Sequence, residues 1–73
     1  MERTEYIEWA KKRAIEFLGE TEDVTGAYSS LVSDLTANDE TKNHIGINLG
    51  MRMMMIGKLQ TAEEMRRFID GFH

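Results

Sequence analysis

No cysteine occurs anywhere in this chain, and that absence limits how 73 residues can be held together. Neither a disulfide framework nor a thiolate metal site is available. A chain of this size withdraws only about 60% of its unfolded surface from water, so its core is thin. Small folds without covalent or metal staples commonly gain stability by self-association. Packing of amphipathic elements, within one copy or between copies, must therefore do the stabilising. The sequence also lacks proline, so its elements are free to be helices joined by short connections that fold back on one another.

Apolar spacing predicts four helices, near residues 4–18, 22–36, 39–56 and 62–71. In the first, Thr4 is the expected N-cap, and Tyr6, Ile7, Ala10, Ala14, Phe17 and Leu18 recur at three- and four-residue steps as far as Gly19, a C-cap signal. Trp9 and Ile15 fall beside this stripe. Thr21 or Asp23 caps the second helix, whose Val24, Ala27, Tyr28, Leu31, Val32 and Leu35 form one apolar face. The fourth begins at Thr61 with Glu64 three residues on, a capping box, and carries Met65, Phe68, Ile69 and Phe72. The fold class is all-α: a single small helical domain over residues 1–73, built of antiparallel helical hairpins. Phe17, Leu31, Leu35, Leu49, Met53, Phe68 and Ile69 are the expected core.

The third segment is unusual. Asn38 or Asp39 is its expected cap, and it holds four of the six methionines, in GMRMMMIG between Gly50 and Gly57. Ile45, Leu49, Met53 and Ile56 make one stripe, while Ile47, Met51, Met54 and Met55 spread apolar surface round much of the remaining circumference. A helix apolar on most sides must be covered on most sides. Three short neighbours cannot do that, so Met51, Arg52, Met54, Met55 and Trp9 are read as an oligomer or partner interface. Unbranched methionines suit either an irregular core gap or an adaptable contact. Gly46 and Gly50, four apart, allow close approach of another helix or tight packing within the monomer. A symmetric dimer through this helix is expected, with the Arg52 stem along the methionines and its guanidinium paired to an acidic residue of the second copy.

Charge narrows the partners. The net charge is −4, and residues 1–37 hold all of the excess, with four basic against eight acidic side chains. Such a surface repels phosphate backbones, so duplex nucleic acid is not an expected partner. The trio Lys11, Lys12 and Arg13 pairs at helical spacing with Glu8 and Glu16 in the simplest reading. Lys12, Arg13, Arg66 and Arg67 remain possible anion contacts. No apolar run approaches the roughly 18 residues of a membrane span, and MERTEYIEW does not have the character of a secretory signal. A cytoplasmic location is the expectation.

Catalytic signatures are missing from the sequence: there is no GxSxG, no phosphate-binding glycine loop and no HExxH. Glu40 and His44, at i and i+4, and nearby Asp39 have no matching ligands on another helix, so no metal and no cofactor are expected. WAKKRAIEFLGETEDVTGAYSSLVSDL has the outline of one tetratricopeptide-like unit, but solenoids need about three or more stacked copies. An αα-hairpin is the reading for that stretch.

Three stretches carry a resemblance over nearly the whole chain: YIEWAKKRAIEFL, GAYSSLVSDLTANDETKNH and AEEMRRFIDGFH. Together they resemble a group of short bacteriophage and prophage proteins with a WAKxRA opening, an SDL then ETxxH centre and an RxFIxGF end. The resemblance implies expression in the cytoplasm of a bacterial host and an accessory role. Such accessory proteins include inhibitors of host antiviral defence. It implies no catalytic motif. Three readings follow. The first is a non-catalytic module that binds and modulates a host or phage protein, as a homo-oligomer. The second is an oligomeric protein that sequesters a nucleotide or other small ligand with Trp9, Lys12, Arg13, Arg52, Arg66 or Arg67. The third is a small virion or assembly protein.

Overall fold

Four helices make up the computed structural model, which describes residues 2–73: α1 Arg3–Thr21, α2 Val24–Thr36, α3 Ile45–Met55 and α4 Ala62–Asp70. Among the described residues there is no strand, and no helix is long and apolar enough to cross a membrane. The all-α bundle anticipated from the spacing is the fold. Its boundaries shift where local chemistry differs from the sequence signal.

Helix α1 starts one residue before Thr4, with Glu2 at the N-cap, and runs on through Gly19. It stops at Glu22, which adopts a left-handed conformation (φ 55°) and returns its N–H to the Leu18 carbonyl at 2.8 Å. Asp23, not Thr21, caps α2, its carboxylate accepting from the Gly26 amide at 2.9 Å. The capping box of α4 is present, with Thr61 and Glu64 satisfying each other's backbone amides. Helix α3 ends in a Schellman arrangement, with Gly57 at φ 79°, its N–H on the Met54 carbonyl and the Lys58 N–H on that of Met53.

The largest displacement is at the start of α3. It begins at Ile45 rather than beside Asn38 or Asp39. Residues 37–43 form successive turns instead. The Asn38 side chain accepts from the Glu40 amide at 2.8 Å, and the buried Thr41 hydroxyl donates to the Leu35 carbonyl at 2.6 Å. Short polar side chains that bond their own backbone favour turns over helix, which explains why good capping residues here cap nothing.

Helix α1 packs on both α2 and α4. Tyr6 and Arg13 reach Asp34 near the end of α2, while Phe17 meets Gly26 at its beginning, so the two helices are antiparallel. Ala10 and Ala14 are fully buried, and small side chains at that spacing let helices approach closely. Around them lie Ile7 and Leu18, Leu31 and Leu35 of α2, Met65 and Ile69 of α4, Leu59 and Phe72. Of the expected core, Leu31, Leu35 and Ile69 are buried, and Phe17, Met53 and Phe68 are half-buried against it. Leu49 is not core: it is 53% exposed.

Candidate functional site

Helix α3 is attached to the bundle by its glycines. A Cβ at Gly46 would lie 2.5 Å from the Phe72 ring, and one at Gly50 would lie 2.5 Å from Tyr28 and 2.9 Å from Phe68. These aromatic residues form a row. The Tyr28 and Phe68 centroids are 6.3 Å apart, those of Phe68 and Phe72 5.7 Å, and those of Phe72 and His44 4.3 Å. The Tyr28 hydroxyl donates to the Ile47 carbonyl, which fixes the ring under the helix. Burial raises the Tyr28 hydroxyl pKa above that of an ordinary tyrosine, and a backbone bond from Met51 opposes part of that rise.

His44 fixes the entrance of α3. The Gly46 amide donates to its Nδ1 at 2.9 Å, so that nitrogen is unprotonated. Nε2 then carries the proton and donates to the His73 carbonyl at 2.9 Å. One imidazole caps the helix and ties it to the chain following α4. Glu40 and His44 therefore do not share a helical face, and both ring nitrogens of His44 are engaged. Among the described residues, no three His, Cys, Asp or Glu side chains converge as metal ligands.

Glycines on the inside force side chains to the outside. Of the stripe Ile45, Leu49, Met53 and Ile56, Met53 packs half-buried against the core, while Ile45, Leu49 and Ile56 face solvent at 82%, 53% and 69% exposure. Met51 and Met55 of the expected interface are exposed as well. Met54 is half-buried against the core beside Ile47 and Met53. The result is an exposed apolar face along the whole of α3.

Two shallow depressions flank this face. One, of about 480 Å³, runs between α3 and α4 and is lined by Ile45, Leu49, Met53, Phe68 and Phe72, with Arg67 and His73 at its rim. The other, of about 430 Å³, is lined by Ile45, Asn48, Leu49 and Arg52. Ile45 and Leu49 form the ridge they share. Together with the exposed Met51, Met55 and Ile56 they make the candidate site of this protein.

Of the remaining expected site residues, Trp9 and Arg13 come together. Trp9 is 38% exposed on α1, with Tyr6 at 5.2 Å and the Arg13 guanidinium 4.8 Å over its ring. Arg13 is also paired with Asp34 at 2.9 Å, and Arg67 is paired with Glu63. Arg66 shares a depression with Glu22 and Glu63, and Arg13 shares another with Glu16 and Glu20. Lys12 is exposed on α1. The cations expected to grip an anion are thus spread over separate surfaces, several of them beside carboxylates.

The residues read as an interface from the sequence did not include Ile45, Leu49 and Ile56, which are exposed on α3 and at its C-cap. The available signal was the i, i+4 pair Gly46 and Gly50, which marks the face of closest approach and so the opposite face as the exposed one. No protein-family model matches this chain, and no curated protein or solved structure matches it at a significant level.

Proposed function

We propose that this protein is a non-catalytic interaction module, a phage or prophage accessory protein that binds and modulates a host or phage protein in the bacterial cytoplasm. Inhibition of host antiviral defence is one such role. The observation that carries the reading is the exposed apolar face of α3, whose Ile45, Leu49, Met51, Met55 and Ile56 surround a single charge, Arg52. A small helical protein keeps such a face exposed at a cost in solubility, and burying it against a partner removes that cost. The dispersed cations give a competing small-anion site no common pocket.

The test is affinity capture from phage-infected bacteria with wild-type protein and with the Ile45→Lys, Leu49→Lys double variant. The reading expects a specific protein partner that is lost with the double variant, although that variant stays folded. In parallel, thermal melts with a nucleotide panel address sequestration. A bound nucleotide at about 100 times its Kd would stabilise the fold by about 2.7 kcal/mol. Such a stabilisation, with no α3-dependent partner, would replace this reading by the sequestering one.

A further inference from the structure

The sequence around α3 contains no carboxylate. Residues 41–62 carry Lys42, Arg52 and Lys58 and neither Asp nor Glu, in a chain of net charge −4. Arg52 lies within the exposed face, lining a depression with Ile45, Asn48 and Leu49, and among the described residues it makes no salt bridge. From this juxtaposition we infer that the α3 face receives an amphipathic helix of a partner protein, with an apolar stripe for the Ile45 and Leu49 ridge and carboxylates at its edge for Arg52. This rests on the protein-binding reading above and specifies its partner.

Charge decides between that partner and a second copy. The α3 segment of a second copy offers Arg52 no carboxylate, since residues 41–62 hold no Asp or Glu, so α3-to-α3 pairing leaves the arginines without counter-charges. An acidic helix supplies what the face lacks. The shape agrees. Two antiparallel helices with an apolar groove between them, here lined by Leu49, Met53, Phe68 and Phe72, accept a third helix whose anchors recur at i, i+3, i+4 and i+7. No sheet edge is present among the described residues to recruit an extended strand.

The probes are three synthetic amphipathic helical peptides with one apolar stripe and with Glu, Gln or Lys at its edges. Binding is read by isothermal titration and by amide shifts of residues 45–56. The Glu-edged peptide is expected to bind about tenfold or more tighter than the Lys-edged one, with affinity that falls as salt rises. Arg52→Glu should reverse the order of the peptides. Leu49→Lys should weaken all three, with helix content unchanged.

Equal affinity for the three peptides, or no binding by any of them at millimolar concentration, overturns the inference. So does wild-type protein that sediments as a dimer and becomes monomeric with Leu49→Lys, or that binds anionic lipid vesicles in preference to the Glu-edged peptide. If the peptides fail while a captured partner still depends on Ile45 and Leu49, the acidic-helix chemistry is wrong and the interaction module stands. If both fail, both readings fall.

Discussion

Helices α2 and α3 teach opposite uses of an apolar sequence. In α2 the leucines point inward: Leu31 and Leu35 are fully buried, between α1 and α4. In α3 the one leucine, Leu49, points outward, because the inward face includes Gly46 and Gly50 pressed on Phe72, Tyr28 and Phe68. Interdigitated side chains hold α2, whereas α3 lies on rings through its glycine backbone and adds only the half-buried Ile47, Met53 and Met54. Side-chain burial stabilises by about 1.5–3 kcal/mol per large aliphatic group. The second arrangement forgoes that contribution from Ile45, Leu49 and Ile56 and leaves them exposed.

The sharpest contrast is between two leucines. Leu31→Ala should destabilise the protein by about 2–5 kcal/mol, since it opens a cavity in the centre of the bundle. For a domain this small that is a large share of the total. Leu49→Ala should change stability by no more than about 0.5 kcal/mol, as expected for a surface substitution. Urea denaturation of the two variants decides the matter, and equal losses would break the distinction between core and face.

Gly50→Ala tests how α3 is attached. Alanine favours a helix by about 1 kcal/mol over glycine, but overpacking a filled site costs about 1–3 kcal/mol. The Cβ would meet Tyr28, whose ring is held by its bond to Ile47, so the net result should be a loss of about 1–2 kcal/mol. Hydrogen exchange should show the α3 amides deprotected before those of α2. A stabilised variant would mean that the rings yield easily and that glycine is not what sets the helix face.

Caps give the next smaller effects. His44→Ala removes the acceptor for the Gly46 amide and the donor to His73, and Thr61→Ala removes half of the capping box; each should cost about 1 kcal/mol in thermal or chemical unfolding. The two should differ in place, with exchange rising at the start of α3 in the first and of α4 in the second.

The smallest expected effect is with pH. Glu64 accepts backbone bonds from Gln60 at 3.0 Å and Thr61 at 3.2 Å, which hold its carboxyl below the usual glutamate range. A depressed folded value means that its contribution is complete above the unfolded pKa and is lost as pH falls through the folded one. Glu64→Gln should therefore flatten the acid limb of the stability profile. Tyr28 acts in the other direction. Its raised value favours the neutral ring, so its contribution is complete below the ordinary tyrosine pKa and is lost as pH rises through the folded one, loosening α3 first. Alkaline titration followed by α3 amide exchange checks the order.

Much of this fold is legible in the residues. The periodicities of α1, α2 and α4, the Asp23 and Thr61 caps and the Gly57 stop are local signals, set by steric and hydrogen-bonding preferences within a few residues. Which side of α3 faces inward was not legible. Apolar patterning counts side chains, and a glycine has none to count, so a helix that docks through glycine is assigned the wrong inner face. Only the tertiary arrangement, with Tyr28 from α2 and Phe68 and Phe72 from the chain's end meeting at Gly46 and Gly50, turned Ile45, Leu49 and Ile56 to solvent. The physical reason is that close approach of a ring to backbone needs partners distant in sequence, and no local preference encodes where they meet.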